Sequence, residues 1–303
     1  MGKINYEGVI AAMTTPFSAD GENIQKDTIE EMTKFVADNG VIGIIPGGTT
    51  GEFGAMTVEE RIEVNRLYCE AGKKHGLSVI AGVGSLSTKE AALLAREAAD
   101  AGADGLMVVA PFYTPPSFEE LVRHLDEISK AADLPILYYH LPDTTGLQLT
   151  AEELVELGAR TNVDSVKFTE GDMVKFNTII QMDQQDIVPL CGFDGLNLSA
   201  LAAGAPGSVW GMAAFLPDLA VKFFNALAVD KDLDTARDLW RYLLPICDAL
   251  ESGNYAAGVK AGLKIRDIDA GPIRLPASAI DDDATALLKD LIDRALDAAD
   301  GKA

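Results

Sequence analysis

Short apolar runs and helical patterns alternate eight times along the chain, and this repeat constrains the fold more than any other feature. Strand-like runs are expected at Gly8 to Phe17, Ile42 to Gly48, Ser78 to Gly84, Gly105 to Pro111, Pro135 to Leu141, Ser165 to Glu170, Ile187 to Phe193 and Gly207 to Met212. The helical patterns between them cover Thr28 to Asp38, Val58 to Lys74, Lys89 to Ala101, Phe118 to Ala132, Ala151 to Ala159, Met173 to Met182, Leu196 to Ala203 and Leu216 to Val229. Thr57 with Glu60 makes a capping-box pattern, and Asp27 with Glu30 a similar one. Continuous apolar strands alternating with helices call for a parallel sheet buried on both faces. Eight such units are the number that closes a (β/α)8 TIM barrel, with a doubly wound open sheet as the competing architecture. Past Val229 the pattern is all helical: Leu233 to Glu251, Tyr255 to Ile265 and Asp282 to Ala299. The expected organisation is therefore a barrel over 1–229 and a C-terminal helical extension over 230–303 packed on it.

Composition narrows the functional classes. Apolar residues make up 48% of the 303, enough for a large core, yet no apolar stretch reaches the ~20 residues of a membrane span. The start, Met1-Gly2-Lys3-Ile4-Asn5-Tyr6, shows no secretory h-region, and Tyr6 stands where an acylation motif needs Ser or Thr. Three widely spaced cysteines, Cys69, Cys191 and Cys247, make no disulfide framework, which suits a reduced cytoplasm. The net charge of −22 disfavours a nucleic-acid partner, because phosphate is repelled. The acids, including the cluster Asp281-Asp282-Asp283, read as a solvated surface, and their excess suggests a halophilic setting where salt screens self-repulsion.

In a barrel of this kind the functional side chains sit at the C-terminal ends of strands. Lys167, in the run Asp164-Ser165-Val166-Lys167-Phe168-Thr169-Glu170, is the most informative of them. An ammonium in poor solvent is disfavoured against the neutral amine, and a neutral amine condenses with a carbonyl to form a Schiff base. The bland alternative is a buried ion pair with Glu52 or Glu170. After the second strand, Gly47-Gly48-Thr49-Thr50-Gly51-Glu52 offers two hydroxyls and backbone N–H groups that suit a carboxylate, or else is an ordinary βα turn. The fifth strand ends Tyr138-Tyr139-His140-Leu141-Pro142, and alternation lets only one tyrosine face the interior, where a phenol can move protons. The three histidines, His75, His124 and His140, lie on different units, so no metal centre is expected.

Gly48-Thr49-Thr50-Gly51-Glu52, then Tyr139 three residues before Pro142, then Lys167, resemble the dihydrodipicolinate synthase / N-acetylneuraminate lyase family. The resemblance runs in order through Ala110-Pro111-Phe112-Tyr113 and Gly192-Phe193-Asp194. It implies a (β/α)8 barrel with a helical extension, a homotetramer, and a lysine Schiff base with pyruvate or another 2-keto acid, with no external cofactor. By position, Lys167 is the implied Schiff-base lysine and Tyr139 the proton-transfer tyrosine. Thr49 and Thr50 are the implied carboxylate-binding pair, and Thr169, Gly192 and Asp194 line the substrate. Tyr113 matches a tyrosine that reaches a neighbouring subunit's site. Thr144 stands where synthases carry an arginine, Gly195 where sialic-acid lyases carry a glutamate, and Gly211 where a serine is expected. Pro115 stands where an arginine would clasp phosphate. These departures point to a class I aldolase cleaving a 2-keto-3-deoxy sugar acid to pyruvate and an aldehyde. The rivals are N-acetylneuraminate lyase, sugar-acid dehydratase and 4-hydroxy-tetrahydrodipicolinate synthase activities, and a 2-keto-acid-binding protein without turnover.

Overall fold

The computed structural model describes residues 4–182 and 187–301. The stretch at 1–3, part of the segment read above for a leader or acylation pattern, lies outside them. The eight apolar runs form β1 (Val9–Ala12), β2 (Gly43–Ile45), β3 (Ser78–Gly82), β4 (Gly105–Val109), β5 (Ile136–His140), β6 (Val163–Phe168), β7 (Val188–Cys191) and β8 (Ser208–Trp210). They pair in chain order, all parallel, and β8 returns to β1 with Ser208 opposite Val9 and Trp210 opposite Ala11. The sheet is thus a closed barrel, and the open-sheet alternative falls. Side-chain alternation divides two cores. Ile10, Ile45, Ile80, Met107, Leu137, Tyr139, Leu190 and Val209 fill the barrel interior. Tyr138, Val166, Phe168 and Trp210 face the surrounding helices.

Most strands are shorter than their apolar runs. Met13 and Phe17, expected in the first strand, are buried but lie in the connection beyond β1. Hydrophobicity reports burial, whereas the ladder stops where the neighbouring backbone diverges. β6 begins earlier than expected, because the polar side chain of Asp164 is accommodated by a hydrogen bond from the Tyr6 hydroxyl, 2.8 Å.

The helices are α1 (Lys26–Asp38), α2 (Val58–His75), α3 (Thr88–Asp100), α4 (Phe118–Ala131), α5 (Pro142–Thr145), α6 (Ala151–Arg160), α7 (Met173–Gln181), α8 (Asn197–Ala202), α9 (Pro217–Phe224), α10 (Leu233–Glu251), α11 (Tyr255–Ile265) and α12 (Asp282–Ala299). The Thr57–Glu60 capping box of α2 forms in both directions, 3.2 and 2.9 Å. The one expected at Asp27 does not: α1 starts at Lys26, and Glu30 instead holds Lys74 and His75 across to α2. A bridge between Phe17 and Ile24 precedes the helix, which starts two residues early. Short α5 had no periodic signal, and the expected Leu216 to Val229 helix is α9 followed by a wider π turn over 225–229. The acidic cluster is in part a cap: Asp281 accepts from the Ala284 N–H, and Asp282 and Asp283 lie in the first turn of α12, where the helix dipole favours negative charge.

The last three helices cover the outside of the barrel near β8. Trp240 of α10 stacks on Phe223 of α9 at 5.0 Å between ring centroids, and faces Trp210 of β8 at 6.2 Å. Among the described residues no helix is long and apolar enough to cross a membrane.

Candidate active site

Lys167 sits near the C-terminal end of β6, in register with Tyr139 on β5 and Leu190 on β7. Both polar side chains are 7% exposed, and Lys167 Nζ lies 4.2 Å from the centre of the Tyr139 ring. Among the described residues no hydrogen bond or ion pair reaches that nitrogen. The two carboxylates considered as ion-pair partners are engaged elsewhere. Glu52 Oε1 meets Lys260 Nζ at 2.6 Å, and Glu170 Oε2 meets Lys175 Nζ at 2.8 Å. Glu170 also holds His140 Nε2 at 3.0 Å, so this fully buried histidine is a structural one, and burial lowers its pKa.

Gly192, one residue past β7, explains how the lysine fits. A methyl group there would stand 2.5 Å from Lys167 Cγ and 2.3 Å from Thr169 Oγ1. The space a side chain would fill is occupied by the lysine stem and the threonine hydroxyl. Lys167, Thr169 and Gly192 are therefore brought together. Thr169 Oγ1 is buried with no hydrogen-bond partner among the described residues. A buried hydroxyl left unpaired is costly and invites a polar ligand.

The turn after β2 supplies the threonines. Gly47 takes φ 67°, and Gly51 O accepts from Thr15 Oγ1 at 2.7 Å. The two hydroxyl residues diverge: Thr50 is buried and Thr49 exposed. Thr49 lines a small hollow with Gly48, Met107, Val109 and Tyr139, which links the turn to the tyrosine. Glu52 follows with φ 61°, a conformation that costs a non-glycine residue of order 1–3 kcal/mol unless its surroundings hold it. They do: besides Lys260, Glu52 Oε2 accepts from the Arg274 backbone N–H at 2.9 Å. Arg274 also donates to Gly21 O and Glu22 O, and its guanidinium lies 3.8 Å from the centre of the Phe17 ring. Burial pulls the Lys260 pKa down against the upward pull of Glu52. Sequence reading missed this clasp because its parts lie far apart in the chain. The glutamate ending the Gly-Thr-Thr-Gly-Glu motif was its one visible signal.

Asp194, 3% exposed, opens the turn after β7 and faces the chain beyond β8. Its Oδ2 accepts from the Tyr255 hydroxyl at 2.6 Å and from the Met212 N–H at 3.3 Å. Burial pushes its pKa up to about 6, against hydrogen bonding from Tyr255 and the positive charge of Lys167. Tyr255 also went unread, since it lies in the extension. Tyr113 is not gathered into this cluster within one chain: it stands 86% exposed between β4 and α4.

Other features draw nothing to them. A cleft of about 750 Å³ lies between α11, α12 and the segment joining them. Its lysines already have partners: Lys260 with Glu52, Lys264 with Asp269, and Lys289 with Asp293. Among the described residues no cluster of three or more His, Cys, Asp or Glu is arranged to hold a metal ion, and all three cysteines are free and buried.

The family model for the dihydrodipicolinate synthetase family matches residues 5–295. The chain is 34% identical over 279 residues to a 4-hydroxy-tetrahydrodipicolinate synthase of Methanosarcina mazei, covering 91% of this chain and 94% of the relative. It is 36% identical over 295 residues to an uncharacterized DapA-like lyase of Halobacterium salinarum, covering 97% and 95%. Among solved structures it is similar to YagE, a prophage protein of the dihydrodipicolinic acid synthase family from E. coli K12, determined in complex with pyruvate. The TM-score there is 0.89, at 26% identity over 96% of this chain and 98% of that one.

Proposed function

Because the chain belongs to the dihydrodipicolinate synthetase family, whose members are Schiff-base lyases, we propose that it cleaves a 2-keto-3-deoxy sugar acid to pyruvate and an aldehyde. The observation that carries the reading is the Lys167 amine, buried, without an ion-pair partner among the described residues, and 4.2 Å from the centre of the Tyr139 ring at the barrel mouth. In this reading Lys167 condenses with the C2 carbonyl and releases water, and the protonated imine becomes an electron sink. Tyr139 gives its phenol proton to the hydroxyl that departs as the imine forms, and the resulting phenolate accepts the C4 hydroxyl proton as the C3–C4 bond breaks and the aldehyde leaves. The enamine then takes a proton at C3, and water hydrolyses the imine to pyruvate and free Lys167. The turn carrying Thr49 and Thr50 holds the carboxylate, and Thr169 and Asp194 face the rest of the substrate. Fixing the carboxylate aligns imine and phenol, which lowers the entropic cost of the step. No external cofactor enters the scheme.

The choice of cleavage rests on Thr144, an exposed neutral residue where a synthase would place a cation for a second carboxylate. The condensation of pyruvate with a semialdehyde is the second reading, favoured by the name of the Methanosarcina relative. Incubation with pyruvate and borohydride, followed by peptide mass mapping, tests the common step. A stable adduct on the Lys167 peptide is expected, and an unlabelled one sinks the scheme. Products separate the readings: pyruvate plus aldehyde for cleavage, a cyclised condensation product for the synthase. The same reading expects a cytoplasmic homotetramer in which Tyr113 enters a neighbour's cleft.

A further inference from the structure

We propose that Tyr255, reaching from the C-terminal extension, is a specificity-determining residue that closes the β7–β8 side of the cleft and limits the length of the substrate. The inference rests on the Schiff-base reading and deepens it. Val209 faces the barrel interior and Trp210 faces the helices, so β8 ends normally at its mouth. Gly211, the next residue, has no side chain, and a Cβ there would stand 2.1 Å from the Tyr255 hydroxyl oxygen. The phenol therefore fills the volume that a residue at the end of β8 would occupy. It is also fastened there. Tyr255 donates to Asp194 Oδ2, the same oxygen accepts from the Met212 N–H, and Asn197 Nδ2 donates to Asp194 O at 3.0 Å. One carboxylate thus ties the end of β7, the end of β8 and the first residue of α11.

This seal stands on the wall that carries the reactive amine. Asp194 lies two residues beyond Gly192, whose missing side chain makes room for Lys167 and Thr169. A ligand joined to Lys167 and extending along the β7–β8 side meets Asp194 and the phenol, both already hydrogen-bonded to each other. A short 2-keto-3-deoxy acid ends before this barrier. One with a long polyol tail has to displace a ring and break a short hydrogen bond to a buried carboxylate. Crowding of this sort discriminates strongly, because the pocket is close-packed and the displaced polar groups lose their partners.

The test compares the rate of borohydride-trapped adduct formation with six-carbon and nine-carbon 2-keto-3-deoxy acids in the full chain. The unaltered protein is expected to trap the shorter acid with a large preference. Tyr255→Ala should narrow that preference by about tenfold or more, the scale at which pocket contacts discriminate substrates. Tyr255→Phe, which keeps the ring, should retain most of it. Tyr255→Leu serves as the opening variant if Tyr255→Ala does not fold by circular dichroism. An unaltered protein that traps both acids equally, or opening variants with an unchanged ratio, overturns this inference alone. A Tyr255→Phe ratio shifted as far as that of the opening variant assigns the effect to the hydrogen bond and overturns the space-filling role. No adduct with either acid overturns the Schiff-base reading, and this inference with it.

Discussion

At the residue scale, the proposed chemistry depends on one amine, Lys167, that has no ion-pair partner among the described residues while neighbouring carboxylates are occupied. Lys167→Arg keeps a cation but removes the condensing amine. It is expected to abolish the trapped adduct and to lower turnover by about 10³-fold or more, since the covalent route is lost. Turnover within tenfold of the unaltered protein would remove Lys167 from the mechanism. Asp194 offers a second measurement. Burial raises its folded-state pKa to about 6, above the unfolded value near ~3.9. The stability it contributes is therefore complete below about pH 4 and is lost as pH rises through about 6. Lys167 opposes this shift, and Glu251 is itself pushed up to about 7 by burial and by the charge of Asp194. Tyr255→Phe deletes a donor to the ionised carboxylate, so the Asp194 titration, followed by carbon NMR of labelled aspartate, should move upward. A downward or absent shift contradicts the assignment of that hydrogen bond. Lys167 and Tyr139 were legible in the chain because a lysine and a tyrosine at apolar strand ends stand out against the pattern. Tyr255 was not, because nothing local distinguishes a tyrosine at a helix start.

At the scale of elements, the turn after β2 is shaped by the extension. Glu52 and Lys260 side chains are each 5% exposed, and removing one partner of a buried pair strands the other charge. Lys260→Met is therefore expected to destabilise the fold by about 3 kcal/mol, read as a lower denaturant midpoint at constant m-value. It should also raise KM for the keto acid, because Glu52 loses the contact that holds its left-handed backbone beside Thr50. An unchanged midpoint would show that the clasp is dispensable. Gly192→Ala probes the other wall. Its methyl meets the Lys167 stem at 2.5 Å, close to the backbone where a flexible chain has least room to yield. Adduct formation should fall by about tenfold or more while the fold persists, because misplacing a reacting group by an ångström is costly. The start of α2 was legible because its capping box is written in the sequence, whereas the start of α1 follows the Phe17–Ile24 bridge, a backbone pairing that leaves no capping signal.

At the scale of the molecule, the net charge of −22 makes self-repulsion a property of the whole surface. Most surface ion pairs are exposed pairs of small individual worth, so screening should matter more than their loss. The melting temperature is expected to climb by several degrees between low and molar KCl; a flat or falling series counts against a salt-adapted surface. The eightfold alternation and the apolar character of the strands determined the barrel and its order, since burial on both faces leaves a parallel sheet few other ways to close. They also marked the strand ends where Lys167, Tyr139 and the threonine turn lie. Only the tertiary structure decided which carboxylates are engaged, that Glu52 belongs to Lys260 and Arg274, and that Tyr255 fills the space beside Gly211. Periodicity reports which face a residue buries. Which distant side chain meets it there depends on how closed strands and a returning helix share one volume.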